Sequence, residues 1–129
     1  LEAHAPQPAG PARVLVVEDE SELRSTLRRI FEKDGYDLMT AGSAEDGLAL
    51  LESNHFDAVV PDIHLPGMDG TELLRRTRER YSELPVILFT GEPDVHTAIA
   101  AVEHRAFHYL TKPFRAKELM AVVGRAVAH

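Results

Sequence analysis

Residues 59–70 read VVPDIHLPGMDG and place a proline and a carboxylate directly after two strand-forming valines. Val59 and Val60 are typical of a buried strand, whereas Pro61 cannot donate a hydrogen bond to a neighbouring strand. Asp62 follows at once, and the interior of a sheet does not normally accept an unpaired charge. The pattern therefore predicts that a buried strand ends here and presents a carboxylate at the edge of a sheet.

Short apolar runs recur along the chain on both sides of this segment, and amphipathic stretches separate them. Several runs are continuously apolar, which indicates strands that are covered on both faces, as in a parallel sheet. Five strand–helix units in succession predict an α/β fold, a doubly wound (βα)5 three-layer sandwich. The predicted strands span residues 13–17, 36–41, 57–60, 85–89 and 107–110.

The amphipathic stretches predict helices with apolar stripes that face the sheet. Gly35 is predicted to end the first helix, and Ser43 to cap the second. Asp69 with Glu72 predicts a capping-box-like start for the third. The stripes are Leu23, Leu27, Ile30 and Phe31; Leu48 and Leu51; Leu73, Leu74 and Thr77; Val95, Ile99 and Val102; and Leu119, Val122, Val123 and Val127.

Length and composition limit the class of protein. A chain of 129 residues is long enough for one domain with its own core. Residues 1–12 are proline-rich and aperiodic, which predicts a flexible N-terminal linker before a domain spanning 13–129. No apolar run approaches the roughly 20 residues that cross a bilayer. The lack of cysteine excludes thiolate metal sites, and the net charge of −7 argues against direct nucleic-acid binding by this domain.

The third predicted helix carries a cluster of basic residues with acidic neighbours. Since both signs of charge are interspersed, the pattern favours a solvated helix face over a nucleic-acid patch. The arginines are Arg75, Arg76, Arg78 and Arg80, beside Glu72 and Glu79.

Polar side chains follow four of the predicted strands, and the carboxyl ends of parallel strands meet at one edge of the sheet. Carboxylates packed together there would repel one another unless a cation lay among them. Mg²⁺, or the similar Mn²⁺, binds through one or two carboxylates together with phosphate oxygens. A carboxylate beside such an ion can attack phosphorus, and a lysine and a hydroxyl can hold the phosphoryl oxygens. The residues are Glu18, Asp19 and Glu20, then Asp62, then Thr90, then Thr111 and Lys112.

Four motifs in order give the sequence a family resemblance. They are VLVVEDE at 14–20, DAVVPDIHLPGMDG at 57–70, VILFTG at 86–91 and HYLTKPF at 108–114. From about Arg13 to its end, the chain resembles the CheY-like receiver domain of two-component response regulators. The resemblance implies a flavodoxin-like fold with strand order 2-1-3-4-5 and a phosphoacceptor switch rather than an enzyme with a separate substrate.

The resemblance also implies a role for each residue at the strand ends. Asp62 would be phosphorylated by a partner histidine kinase or phosphotransfer domain. Asp19, Asp62 and the backbone carbonyl of His64 would bind Mg²⁺, and Glu18 would act through a bound water. Thr90 and Lys112 would contact the phosphoryl group.

Further residues match the switching apparatus of the family. Thr90 and Tyr109 would be the switch pair, and His64 and Glu92 would tune the lifetime of the phosphorylated state. The bond before Pro113 would be cis. The changed surface would be helix 4, strand 5 and helix 5, which is also the expected homodimer face. The resemblance further implies a cytoplasmic protein whose effector domain or downstream protein lies outside this sequence.

The sequence departs from the family pattern at several positions. Glu18 replaces the commoner aspartate, which leaves contact through water feasible. Arg105 stands where glycine is common, and His108 where an acid is common. Pro61 leaves open a second interpretation, a phosphorylation-independent receiver that serves only as an interaction module.

Two other classes share part of this chemistry. A haloacid-dehalogenase-like phosphohydrolase also uses aspartate, threonine and lysine with Mg²⁺. However, the residue two positions after Asp62 is His64 rather than a second aspartate, and no chain remains for a cap over the substrate. A flavin-binding protein of the same fold would need a phosphate-binding loop rich in serine, threonine and glycine after the first strand, where this chain has Glu18, Asp19 and Glu20.

Overall fold

The structure is a computed structural model that describes residues 10–128 of the chain. Most of the predicted linker, residues 1–9, and the last residue of the predicted domain lie outside the described range. Strands and helices alternate as predicted. They are β1 (Arg13–Val17), α1 (Ser21–Lys33), β2 (Asp37–Ala41), α2 (Ala44–Ser53), β3 (Ala58–Pro61), α3 (Gly70–Arg80), β4 (Ile87–Thr90), α4 (Val95–Glu103), β5 (His108–Thr111) and α5 (Ala116–Ala128).

The strands form a parallel sheet with the order 2-1-3-4-5. β1 pairs in parallel with β2 on one side and with β3 on the other. β4 pairs in parallel with β5. Two isolated parallel bridges, Val59–Val86 and Asp62–Phe89, join β3 to β4. The predicted fold class is therefore confirmed.

Pro61 explains why the contact between β3 and β4 is reduced to single bridges. The Val59 N–H donates to the Pro85 carbonyl at 3.0 Å, and the Ile63 N–H donates to the Phe89 carbonyl at 2.9 Å. Along a strand, the N–H groups of every second residue point to the same neighbouring strand, so the nitrogen of Pro61 faces β4, as those of Val59 and Ile63 do. A proline nitrogen has no hydrogen to donate, so the β4 carbonyl opposite it receives no bond from Pro61. The sheet loses one bond at this point while β3 keeps its direction.

Two apolar layers cover the sheet, one on each face. Alternate residues of β1 separate between them: Val14 and Val16 pack with α1 and α5, whereas Leu15 and Val17 pack with α2 and α3. All four side chains are fully buried. Burial on both faces is why these strands are continuously apolar rather than alternating.

The predicted helix ends are also observed. Gly35 follows α1 with a positive φ of 88°. The Ser43 side chain caps α2 by accepting from the Asp46 N–H, and Asp69 caps α3 by accepting from the Glu72 N–H.

The prediction that Val95, Ile99 and Val102 face the sheet is wrong. Their side chains are 69%, 50% and 79% exposed, respectively. The face of α4 that turns inward carries Thr97, which is half-buried, and Ala101, which is buried. Thr97 lies two residues after Val95, and about 100° of rotation per residue places it on the opposite side of the helix. Small residues thus face the sheet, and the larger apolar residues form an exposed apolar stripe.

The prediction of a solvated basic face on α3 is wrong for Arg78. Its side chain is buried and donates to backbone carbonyls at the ends of two helices. The acceptors are Tyr81, Ser82 and Leu84 after α3, and His104 and Arg105 after α4, all at 2.9–3.1 Å. Neutral carbonyls can satisfy a buried guanidinium because it carries five N–H donors in a fixed plane. Arg78 therefore anchors the carboxyl end of α4 to the loop after α3.

Arg105 ends α4 in a conformation that favours glycine. Its φ is +57°. The Arg105 N–H donates to Val102, and the Ala106 N–H donates to Ala101. The same pair of bonds closes α1 around Gly35. Both ends are Schellman motifs, and the residue with positive φ is glycine in one and arginine in the other.

Replacement of Arg105 by glycine is expected to raise the free energy of unfolding by about 1 kcal/mol, because the left-handed conformation costs an L-residue more than glycine. Gly35→Ala is the matched control, and we expect it to lower the free energy of unfolding by a similar amount, about 1 kcal/mol. Equilibrium unfolding in urea, followed by circular dichroism, measures both changes. A lower midpoint for Arg105→Gly would contradict the strain argument.

Candidate functional site

Three carboxylates meet at the carboxyl edge of the sheet. Glu18 and Asp19 directly follow β1, and Asp62 directly follows β3. Since β1 and β3 are adjacent parallel strands, their ends lie side by side. One carboxylate oxygen from each residue lies within 4.8 Å of the others. Glu18 and Asp62 are buried, whereas Asp19 is exposed.

Lys112, just after β5, supplies the positive charge at this edge. Its Nζ lies 3.0 Å from Oδ2 of Asp62 and 3.6 Å from Oε1 of Glu18. The same Nζ lies 4.9 Å from the centre of the Phe89 ring, which favours a cation over its face. The Lys112 N–H donates to the Thr90 carbonyl at 2.7 Å, so the backbone ties this residue to β4.

Backbone hydrogen bonds fix the position of Asp62. The Asp62 N–H donates to the Val17 carbonyl at 2.9 Å, and the His64 N–H donates to Oδ1 of Asp62 at 3.0 Å. With Lys112 on Oδ2, both carboxylate oxygens of Asp62 have a partner. The Asp62 side chain thus lies in the acidic cluster although Pro61 precedes it.

Glu18 and Asp62 share one protonation equilibrium, because two buried carboxylates this close cannot both ionise freely. Burial and the neighbouring Asp62 raise the pKa of Glu18 to about 7. Burial also raises the pKa of Asp62, but the interaction with Glu18 and the hydrogen bonds from the His64 N–H and Lys112 outweigh it, so this pKa lies below its usual value. Asp62 is therefore the member of the pair that carries the negative charge, as a nucleophile must.

Within the part of the chain that the structure describes, one buried oxygen at this edge has no hydrogen-bond partner. Oε2 of Glu18 accepts from the Glu20 N–H at 2.8 Å, whereas Oε1 is buried with no hydrogen bond to any residue in the range 10–128. An unsatisfied buried carboxylate oxygen is costly, and a cation would satisfy it and favour the ionised form of Glu18. The donor set, carboxylate oxygens from Glu18, Asp19 and Asp62, fits a hard divalent cation such as Mg²⁺ or Mn²⁺.

Thr90 and Tyr109 lie on neighbouring strands at the same edge. Thr90 is fully buried, and its Oγ1 accepts from the Glu92 N–H at 3.0 Å. Tyr109 is half-buried, and its hydroxyl lies 2.7 Å from Oγ1 of Thr97 on α4. The structure therefore connects Tyr109 to α4, a contact that the sequence did not predict.

His64 and Glu92 lie together at the mouth of the site. Nε2 of His64 lies 3.2 Å from the Glu92 carbonyl oxygen, so a hydrogen bond joins the loop after β3 to the loop after β4. Both residues are exposed. The Lys112–Pro113 peptide bond is cis.

Gly70 is a residue of the site that sequence reasoning missed. Its N–H donates to the Ile63 carbonyl at 2.8 Å, where α3 begins beneath the acceptor segment. A Cβ at Gly70 would meet the Asp62 carbonyl oxygen at 2.3 Å and Cα of Ile63 at 2.7 Å. The only signal in the sequence is a glycine eight positions after the acceptor, which does not reveal a close backbone approach.

Comparison with known proteins agrees with this geometry. The family model described as the response regulator receiver domain matches residues 14–124. The chain is 40% identical over 116 residues to the DNA-binding transcriptional regulator NtrC of Salmonella typhimurium, covering 90% of this chain and 25% of that protein. It is 37% identical over 111 residues to the response regulator MprA of a Mycobacterium species, covering 86% of this chain and 48% of that protein.

Solved structures of similar sequence have the same fold. A CheY-like receiver domain from Methanospirillum hungatei has a TM-score of 0.89 at 28% identity, over 92% of this chain and 95% of that one. The response regulator TrrA of Thermotoga maritima, solved in complex with Mg²⁺-BeF, has a TM-score of 0.83 at 30% identity, over 89% and 98%.

The parallel five-stranded sheet and the acidic edge define a receiver domain. The chain belongs to the response regulator receiver family of two-component systems, as the four motifs indicated. It spans about a quarter to a half of the length of these curated relatives.

Proposed function

We propose that this domain takes a phosphoryl group from a partner histidine kinase or phosphotransfer domain onto Asp62 in a Mg²⁺-dependent reaction. The observation that carries the proposal is the position of Asp62, whose ionised carboxylate lies beside two further carboxylates and 3.0 Å from Nζ of Lys112. An ordinary surface aspartate has no such surroundings. Family membership supports the same chemistry.

In the proposed reaction, a carboxylate oxygen of Asp62 forms a bond to phosphorus while the phosphorus–nitrogen bond of the donor imidazole breaks. The electron pair of that bond remains on the imidazole nitrogen. Lys112 neutralises charge on the phosphoryl oxygens, and the Thr90 hydroxyl donates to one of them. Asp19, Asp62 and the His64 carbonyl would hold Mg²⁺, with Glu18 acting through water. The ion would supply charge neutralisation that lets the acids and the phosphoryl group coexist.

The proposed output is a change of the surface formed by α4, β5 and α5. When Thr90 turns toward a phosphoryl group, the space next to it becomes available to Tyr109. Tyr109 contacts α4, whose exposed apolar stripe lies on this surface. We propose that the surface binds a downstream protein or effector domain, or a second copy of the chain. Exposed apolar stripes are typical of such interfaces.

The proposed setting is cytoplasmic, with the domain itself not touching nucleic acid. Among the residues that the structure describes, no helix is long and apolar enough to cross a membrane. The net charge of −7 disfavours contact with a phosphate backbone. DNA binding, as in the name of the NtrC relative, would belong to a separate part of the protein.

The test is intact-mass spectrometry after incubation with a small acyl phosphodonor, with and without Mg²⁺. We expect one phosphoryl group per chain with Mg²⁺ and almost none after chelation. A chain that stays unmodified with Mg²⁺ would contradict the proposal and favour the interaction module that Pro61 left open. Steady release of phosphate from added phosphate monoesters would instead indicate the phosphohydrolase class.

His64→Ala is expected to accelerate hydrolysis of the phosphorylated domain without changing its affinity for Mg²⁺. The His64 ring bridges to the Glu92 carbonyl at the mouth of the site, and its removal opens a path for water to Asp62. The backbone carbonyl proposed to bind the ion is unaffected by the substitution. Decay of the phosphorylated mass over time gives the rate. His55→Ala, which changes an exposed histidine before β3, is the matched control, and equal decay of all three proteins would contradict the role of His64.

A further inference from the structure

The Tyr109 hydroxyl makes a hydrogen bond that ties the switch tyrosine to α4. The oxygen atoms of Tyr109 and Thr97 lie 2.7 Å apart. Oγ1 of Thr97 also lies 3.2 Å from the Asp94 carbonyl oxygen. Since Thr97 has one hydroxyl hydrogen and a carbonyl can only accept, both contacts form when Thr97 donates to Asp94 and Tyr109 donates to Thr97.

This bond reaches the first turn of α4. Asp94 is the N-cap residue, and its side chain accepts from the Thr97 N–H at 2.8 Å. Thr97 therefore contacts both the cap of the helix and the tyrosine of β5. The loop that follows Thr90, the last residue of β4, ends at this cap.

The two ends of α4 are held very differently. At its carboxyl end, the buried Arg78 donates to the carbonyls of His104 and Arg105. At its amino end, the contact with β5 runs through half-buried Thr97 and Tyr109. Two charged hydrogen bonds to a buried guanidinium are costly to break, whereas one hydroxyl pair exchanges readily with water. The amino end is thus the part of α4 that is easier to release.

The hydrogen bonds around Asp62 show that the contact between Thr97 and Tyr109 belongs to the unphosphorylated, resting conformation. Lys112 binds the Asp62 carboxylate itself, and the Thr90 hydroxyl accepts from the Glu92 N–H in its own loop. The two side chains proposed to hold a phosphoryl group therefore have hydrogen-bond partners within the unphosphorylated protein. The contact between Tyr109 and Thr97 belongs to the same arrangement.

We propose that Thr97 is a positioning residue of the switch, whose hydroxyl holds Tyr109 and the amino end of α4 together in the resting conformation. In the proposed switch Tyr109 turns toward Thr90 and leaves Thr97, so loss of the bond destabilises the resting conformation and favours the activated one. The inference rests on the proposed phosphoacceptor function and adds to it the contact that sets the resting equilibrium. Phosphoryl binding and the conformational change are thermodynamically linked. Loss of the bond between Thr97 and Tyr109 therefore also strengthens binding of a phosphoryl analogue.

The test compares the affinity of variants for beryllium fluoride in the presence of Mg²⁺, measured by an NMR titration of backbone amides. Thr97→Val keeps the shape of the side chain and removes the hydroxyl, whereas Thr97→Ser keeps the hydroxyl. We expect Thr97→Val to bind about fivefold more tightly than the wild type, the effect of one net hydrogen bond, and Thr97→Ser to match the wild type. Tyr109→Phe is expected to reproduce Thr97→Val.

The double variant separates this contact from a general loosening of α4. If the two hydroxyls act through their mutual bond, Thr97→Val combined with Tyr109→Phe binds no more tightly than either single variant. Additive effects would overturn the proposal, as would unchanged or weaker binding by Thr97→Val. Failure of the wild type to bind beryllium fluoride with Mg²⁺ would overturn the proposed function as well, so the two failures are distinguishable.

Discussion

Asp62→Asn is expected to accept no phosphoryl group from a small acyl phosphodonor under conditions in which the wild type accepts one per chain. The amide oxygen of asparagine is neutral and cannot form the acyl phosphate, although the side chain keeps its size. Other carboxylates nearby do not compensate. Neither is placed as Asp62 is: Asp19 is exposed, and Oε1 of Glu18 lies 3.6 Å from Nζ of Lys112, compared with 3.0 Å for Oδ2 of Asp62.

Asp37→Asn is the matched control, since Asp37 is a half-buried aspartate at the start of β2 that pairs with Arg13, away from the carboxyl edge of the sheet. It is expected to accept phosphate like the wild type. The Asp62→Asn protein is expected to remain folded, because the substitution removes one of two coupled buried carboxylates. Phosphate on a different residue of folded Asp62→Asn, located by peptide mass spectrometry, would contradict the assignment of the acceptor.

The same experiment determines the effect of Pro61. Asp62 has partners on both oxygens and lies in the acidic cluster, so the proline has not removed it from the site. We therefore expect Pro61→Leu to reach the same phosphoryl stoichiometry as the wild type, with one ladder bond restored between β3 and β4. If the wild type accepted no phosphoryl group and Pro61→Leu accepted one per chain, proline would instead be shown to inactivate this receiver.

Gly70→Ala is expected to lower the free energy of unfolding by about 3 kcal/mol, at the upper end of the effect of overpacking in a core. The added Cβ would meet the Asp62 carbonyl oxygen at 2.3 Å and Cα of Ile63 at 2.7 Å. Both atoms are backbone, so no side-chain rotation relieves the contact. Either α3 or the acceptor segment must shift, and we expect phosphorylation of Asp62 to fall together with stability.

Gly124→Ala is the matched control for this substitution. Gly124 lies within α5, and among the described residues a Cβ there would meet only the Tyr36 hydroxyl, at 4.0 Å. Alanine in a helix is expected to raise the free energy of unfolding by about 0.5–1 kcal/mol. Urea unfolding measures both variants. A Gly70→Ala protein as stable as the wild type would show that the start of α3 can move away from the acceptor segment at little cost.

Much of this site could be predicted from the sequence because each functional residue adjoins a strand. Parallel strands present their carboxyl ends at one edge, so the positions of Asp19, Asp62 and Lys112 in the chain already imply that they meet. The distances and hydrogen bonds between these side chains could not be predicted. That Oε1 of Glu18 is buried with no hydrogen bond from the described residues depends on the packing of β1 against its neighbours.

The helices show that a sequence pattern does not by itself predict which helix face is buried. Val95, Ile99 and Val102 form a regular apolar stripe, yet they are exposed, because the inward face of α4 accommodates Thr97 and Ala101 instead. Periodicity detects a stripe but not the surface against which it lies. For the same reason, nothing in the run of arginines distinguished the buried Arg78 from Arg76 and Arg80, which are exposed.

The sequence by itself determined the alternation of strands and helices, the parallel sheet and the edge at which the acidic residues collect, since periodicity and strand ends are local properties of the chain. Only the tertiary structure decided the burial of Arg78, the close approach at Gly70 and the bond between Thr97 and Tyr109. Each of these depends on distances between segments far apart in sequence, and such distances are set by packing rather than by local propensity.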